Sequence, residues 1–284
     1  MKLITLNTHS LAEPDYINKR ALLIAALLEE KADIIAMQEV SQTVAAPPLG
    51  GAAPDGYIPA DDKIILREDN HAVIVAGELE KAGLSYYYTW IPLKIGYDIY
   101  EEGIAIFSKS PITETDVVLL SRVDDFHNWK TRKVIGIRTE SSNDWFYSIH
   151  LGWWDDEEEP FRDQWLKLMQ HCDKKLAHDG ACKVWLMGDF NSPAETRGEG
   201  YDMMKQSRFV NCHELALQHD DGCTVIKTID GWEGRSSAKN GLRMDHILCS
   251  KPVVVAASNV LFNGICHPVV SDHFGIRIIV NEKQ

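Results

Sequence analysis

The chain opens with a short apolar run, "KLITLN", that closes on Asn7. "YINKRALLIAALLEEKA" then repeats apolar residues at helical spacing, Leu23, Ala26 and Leu27 among them, directly after Pro14 and Asp15. Apolar positions three and four apart make one helix face, and Pro and Asp ahead of such a run form a start signal. "DIIAMQEV" returns to strand character and ends near Gln38 and Glu39, so the opening is strand–helix–strand. Residues 43–62, rich in Pro, Gly and Ala, predict a long surface loop, and such length inside a compact domain points to function. "NHAVIVAGELEKAG" predicts a helix. "SYYYTWIP", "GIAIFSK", "TDVVLLS", "KVIGIRTE" and "DWFYSIHL" are β-branched or aromatic runs between turn residues, which predicts strands. "EPFRDQWLKLMQHCDKKLA" predicts an amphipathic helix with acidic residues at its start, where the helix dipole favours them. "KVWLMGDF", "RMDHILCS" and "FGIRIIV" complete the strands. Strands outnumber helices, and helices fall between strands in both halves. With no repeats or low-complexity tract, this predicts one α/β domain over residues 1–284, on a large mixed sheet or two packed sheets.

Composition narrows the partners. Apolar residues at 45% and charged residues at 25% are the balance of a soluble globular protein. The formal net charge is −13. Nucleic acid and anionic membranes bind through Lys and Arg that neutralise phosphates, so both are disfavoured as partners. No apolar run approaches the roughly 20 residues that span a bilayer. The apolar part of "MKLITLNTHS" is too short for a signal peptide, and the 6 cysteines form no CxxC pair. Read as reduced thiols, they predict a cytoplasmic protein.

Polar residues close or interrupt the apolar runs at Asn7, Glu39, His150, Asp189, Asn191, Asp245, Asp272 and His273. Taken singly, each is more often a cap or a turn. Residues two apart in an extended chain share a side, so Asp189 and Asn191 face one site while Phe190 turns into the core. Asp272 and His273 are adjacent and line one site only if the chain bends, which predicts a loop at Ser271–His273. Phosphate-ester hydrolysis needs a cation on the phosphoryl oxygens, a positioned water and a stabilised leaving group. Mg²⁺ takes oxygen ligands and keeps several waters, so Asn7 and Glu39, with Asp272 as a further ligand, offer a sufficient set; Mn²⁺ is the alternative cofactor.

The ordered series, from "TLN" through "MQEV", "SIHL", "GDFN" and "RMDHIL" to "VVSDHFGI", resembles the endonuclease/exonuclease/phosphatase superfamily over essentially the whole chain. "LNTHS", "REDNHAVIVAGEL", "YYYTWIPLKIGYDIYEEGIAIFSK" and "WKTRKVIGI" are further similar to a bacterial subgroup that includes maltose 6′-phosphate phosphatase. The resemblance implies a single-domain, four-layer α-β-β-α sandwich, two mixed β-sheets face to face between helices, with one active site at the top edge. It implies Glu39 as the central metal ligand. Asp189 would orient or deprotonate the attacking water, and Asn191 would hold the phosphate or the water shell of the metal. His150 would donate to a phosphoryl oxygen, and His273 would meet the phosphoryl group as a cation backed by Asp245.

Four residues are candidate substrate contacts: Arg132 beside Lys133, Tyr97 near Asp98 and Glu102, Trp153 beside Trp154, and Asn70 beside a structural His71. Each competes with a plain role as strand end, turn or core residue. The acidic run at 155–159 reads as a solvated helix start. The sequence therefore predicts metal-dependent hydrolysis of a small phosphorylated substrate, with a sugar phosphate as the leading class. A nuclease or phosphodiesterase is the alternative, and the intact set from Asn7 to His273 argues against a catalytically dead binding module.

Overall fold

The computed structural model describes residues 1–227, 232 and 241–281. β1 (Lys2–Asn7) leads through α1 (Tyr16–Glu30) to β2 (Ile34–Thr43), and α2 (His71–Lys81) follows the Pro- and Gly-rich loop. A run of strands comes next: β3 (Tyr87–Gly96), β4 (Tyr100–Ser108), β5 (Ile112–Leu119), β6 (Lys133–Thr139) and β7 (Ser142–His150). α3 (Phe161–His178) connects to β8 (Val184–Asp189). The remaining elements are α4 (Gly200–Lys205), β9 (Val210–Asn211), α5 (Cys212–Leu215), β10 (Gln218–His219), β11 (Asp245–Cys249), β12 (Val255–Leu261) and β13 (Gly275–Val280).

The strands form a sheet of order β10-β12-β13-β1-β2-β4-β3 and a second of order β5-β6-β7-β8-β11-β9. Both are mixed, since β1–β2 and β7–β8 pair parallel while β1–β13 and β8–β11 pair antiparallel. Alternation along β2 explains the layering. Ile34 and Ala36 face the second sheet and join Ile106, Ile135, Phe146, Trp185 and Met187. Ile35 and Met37 face outward, under Leu23 and Leu27 of α1 and Val75 and Leu79 of α2. On the far side, Trp165, Leu168 and Cys172 of α3 cover Tyr147 and Leu186. Strands buried on both faces read as continuous apolar runs, which is what "DIIAM" and "KVWLM" are. The result is the four-layer, single-domain sandwich implied by the resemblance.

The pattern missed β12, whose Ala256, Ala257 and Ser258 dilute the strand signal. It also cut β3 and β4 short. Their ladder continues through Lys94↔Glu102, a charged pair that an apolar template ends upon. Among the described residues no helix is long and apolar enough to cross a membrane. All six cysteines are unpaired.

Between the sheets, at one end of the sandwich, the core turns polar. Buried Gln38 donates from Nε2 to Ser148 Oγ at 2.9 Å, and Thr5 Oγ1 donates to Gln38 Oε1 at 3.3 Å. In the second sheet Gly188 has φ 155°, opposite Ile149 of β7. A Cβ at that position would lie 1.9 Å from the Ile149 carbonyl oxygen. Gly188→Ala is therefore expected to destabilise the protein by about 3 kcal/mol or more, because the obstacle is backbone in a central strand pair. Urea unfolding measures this, and a wild-type midpoint would show that the two strands have room to part.

Candidate active site

The topology gathers the polar strand ends. β1 ends with Asn7 opposite Gln38, where its parallel pairing with β2 stops. Parallel β7 and β8 end there too, with His150 opposite Asp189, and antiparallel β11 starts with Asp245 opposite Asp189. His150, Asp189 and Asp245 thus stand in one rank across the second sheet. In the first sheet the β2–β4 register shifts between Met37 and Val40. Glu39 sits in that bulge at φ 53°, a left-handed conformation that is rare for a non-glycine residue and typical of places where a bulge re-aims a side chain. Gln38 stays between the sheets while Glu39 reaches the edge. The loop after β12 supplies Asp272 and His273, and its bend lets both line the same cavity.

That cavity has a volume of about 240 Å³. Its ionisable lining is His9, Glu39, Lys94, Glu102, Arg132, His150, Asp189, Asp272 and His273, with Asn191 beside them and Tyr97, Trp129 and Trp153 at its aromatic parts. Asp189 holds the centre. Its Oδ1 accepts the Asn191 backbone N–H at 2.8 Å, and its Oδ2 accepts Asn7 Nδ2 at 3.2 Å. The same Oδ2 lies 3.8 Å from His273 Nε2 and 3.7 Å from His150 Nε2. His273 Nδ1 bonds Asp245 Oδ2 at 2.9 Å.

These contacts set opposite charge states on the two imidazoles. Burial pulls His273 down, but the Asp245 and Asp189 carboxylates more than reverse this and hold it well above the usual histidine range. Burial, reinforced by Arg132, Lys94 and His273, holds His150 well below that range. Asp189 is pushed up to about 6 by burial and by Asp245, against the pull of His273. Burial and the neighbouring Glu102 push Glu39 up to about 7. His9 is raised to about 9 because its bond to Glu13 and the charges of Glu39 and Asp272 outweigh its burial.

Most sequence candidates meet here. Glu39, His150, Asp189, Asn191, Asp272 and His273 line the cavity, with Asn7 and Asp245 bonded directly behind them. Arg132, Tyr97 and Trp153 also line it. Trp154 packs instead against Phe161, and Lys133 pairs with Asp124 outside. Asn70 is a correction. It is fully buried, caps α2 by accepting Val73 N–H at 3.1 Å and donates to Gln42, so its amide is spent on local structure and does not line the cavity. The 155–159 run is not simply solvated either, since Asp156 pairs with Lys130 and Glu159 accepts the Arg122 N–H. Sequence reasoning missed His9, Lys94 and Trp129. His9 carried a signal, two residues beyond Asn7, and Lys94 another, a lone cation in an apolar strand.

The donor chemistry fits a hard divalent cation. Glu39, Glu102, Asp189 and Asp272 bring oxygen donors to one cavity, and a carboxyl as high as Glu39 is short of positive charge. Asn7 Nδ2 donates to Glu39 at 2.9 Å, while Asn7 Oδ1 accepts the His9 N–H. Asp272 stands with His9 and Glu13, their donor atoms within 4.8 Å. Asp189, Asp245 and His273 are equally close, but a protonated His273 between two carboxylates already supplies the cation there.

The chain belongs to the endonuclease/exonuclease/phosphatase family, whose model matches residues 4–273. Members of this family hydrolyse phosphoesters. Among solved structures it is similar to an endonuclease/exonuclease/phosphatase family protein from Leptotrichia buccalis C-1013-b, 28% identical with TM-score 0.84, over 99% of this chain and 100% of the other. It shares its fold with a mannosyl-6-phosphatase of Bacteroides thetaiotaomicron VPI-5482, at 15% identity and TM-score 0.64 over 99% and 100% of the two chains. It also shares it with TDP2 from C. elegans, at 13% identity and TM-score 0.62 over 99% and 74%. No match was found among curated proteins.

A raised carboxyl favours its neutral form in the native state. Ionised Glu39 therefore costs stability as pH climbs from 4.5, its ordinary value, through about 7. With chelator present, Glu39→Gln is expected to raise Tm by roughly 2–4 °C at about pH 8. The gain should shrink as pH falls from about 7 and vanish below 4.5, where the carboxyl is neutral in the folded and the unfolded chain alike. Thermal scans across this range provide the check, and a gain that persists in acid would contradict the charge assignment.

Proposed function

We propose that this protein is a metal-dependent phosphomonoesterase acting on a small phosphorylated metabolite, with sugar phosphates as the leading class. The observation that carries the proposal is the Asp189 carboxyl, raised to about 6 and flanked at 3.7 and 3.8 Å by the Nε2 atoms of one neutral and one charged histidine. A Mg²⁺ or Mn²⁺ ion on Glu39, with Asn7 and Asp272 as further oxygen ligands, would neutralise charge on the phosphoryl group when bound.

The chain's own groups do the rest. Asp189 orients the attacking water and accepts its proton, a task suited to a base whose pKa lies near neutrality. The Asn191 N–H and Asn7 Nδ2 fix the two oxygens of Asp189. His273 gives its Nε2–H to a phosphoryl oxygen, and Asp245 behind it keeps the ring charged and oriented. His150 meets a second phosphoryl oxygen through Nε2. Arg132 adds a guanidinium on the cavity wall, matched in geometry to phosphate.

The net charge of −13 opposes a polyanion and so favours a small ester over duplex DNA. Fold likeness at 13–15% identity does not choose between the two, because it extends to a protein named as a phosphatase and to TDP2 alike.

With Mg²⁺ at low salt, kcat/KM for sugar phosphates is expected to be measurable while plasmid nicking is negligible. Efficient nicking without monoesterase activity would overturn the proposal. A second measurement probes the His273–Asp245 unit. Each single alanine variant should lose about a thousandfold in kcat, and the double variant should lose no more than about tenfold beyond either. Multiplicative losses would show the two residues acting independently.

A further inference from the structure

Residues 121–132 form a loop held from several sides. Arg122 N–H bonds both oxygens of Glu159, at 2.8 and 2.9 Å. Lys130 pairs with Asp156 at 2.8 Å and Glu158 at 3.0 Å. The buried Arg132 donates through Nη1 to the carbonyl oxygens of Trp129 at 2.9 Å and Thr131 at 3.1 Å. On this fixed loop Trp129 is 46% exposed, yet it lines the cavity. Its ring lies 5.2 Å from that of Trp153, tilted by 53°. An indole that contributes little to the core, on a loop with so many anchors, is a surface prepared for something outside the chain.

The surroundings say what fits. The charged end of the cavity suits a phosphoryl group. Tyr97, 53% exposed, also lines it, with its hydroxyl 3.1 Å from His9 Nε2. A pyranose ring has one apolar C–H face for an indole and a rim of hydroxyls for such polar groups. A nucleobase sandwiched between two parallel rings is the other ligand a pair of indoles suits, and Trp129 and Trp153, tilted by 53°, form no such sandwich.

We propose that Trp129, backed by Trp153, is the surface on which the sugar ring of the substrate stacks, so that Trp129 sets selectivity for hexose phosphates over acyclic phosphomonoesters. This rests on the phosphomonoesterase reading. The test compares kcat/KM for mono- and disaccharide 6-phosphates with that for glycerol phosphate. Trp129→Ala should lower the ratio about tenfold, chiefly through KM, and Trp129→Phe should restore most of it. An unchanged ratio, or a heavier loss on nucleoside monophosphates, overturns the proposal. A binding arm separates its failure from that of the activity. In an Asp189→Asn background, calorimetry with the same sugar phosphates should show affinity falling about tenfold on Trp129→Ala. That result supports the platform even if no monoester is turned over, in which case the phosphomonoesterase reading alone fails. Equal affinities, or no binding with Trp129 in place, overturn the platform whatever the activity.

Discussion

The site depends on how closely β7 and β8 approach at Ile149 and Gly188. With no side chain at Gly188, the backbones meet where any Cβ would strike a carbonyl oxygen. The pairing thereby reaches the last residues of both strands, and His150 and Asp189 come into register. β11 then sets Asp245 beside Asp189. Local pairing thus delivers two carboxylates and an imidazole to one edge, and the first sheet and the loops add the remainder.

What this edge holds is costly to a folded chain. Glu39, Asp189 and Asp245 are like charges drawn out of water, and Lys94 and Arg132 are buried cations. Such groups are tolerated because they offset one another and because a bound cation and anion would offset them further. The left-handed backbone at Glu39 adds strain at the same spot. The surrounding layers, apolar on both faces of both sheets, give the stability against which these local costs are set.

How much of this was legible follows from what sequence periodicity encodes. Polar residues that end apolar runs, such as Asn7, His150 and Asp189, announce themselves, because a strand buried on both faces has no other place for them. Their order along the chain carried the family, and with it the fold. The bulge at Glu39 left no trace, since alternation reports which face a residue takes and not where a register slips. Lys94 and Glu102 look like strand terminators until the hairpin is seen to pair them. Asn70 misled in the opposite sense, because a polar residue ahead of a helix is as readily a cap as a ligand. Trp129 sat in a loop with no periodicity at all, and its place follows from a guanidinium bound to its carbonyl oxygen.

The seam of Thr5, Gln38 and Ser148 has a bearing on the whole edge. Glu39 and His273 come from the first sheet or the loop leading into it, and His150, Asp189 and Asp245 from the second. Apolar contact between the sheets is non-directional and tolerates sliding, whereas a hydrogen bond does not. At 2.9 Å, the bond from Gln38 to Ser148 works like a dowel between two boards. It sits next in sequence to Glu39 and two residues before His150. Beside the Asn7–Asp189 bond, the alignment of the site's two halves is therefore kept by a buried amide and a hydroxyl, neither of which lines the cavity.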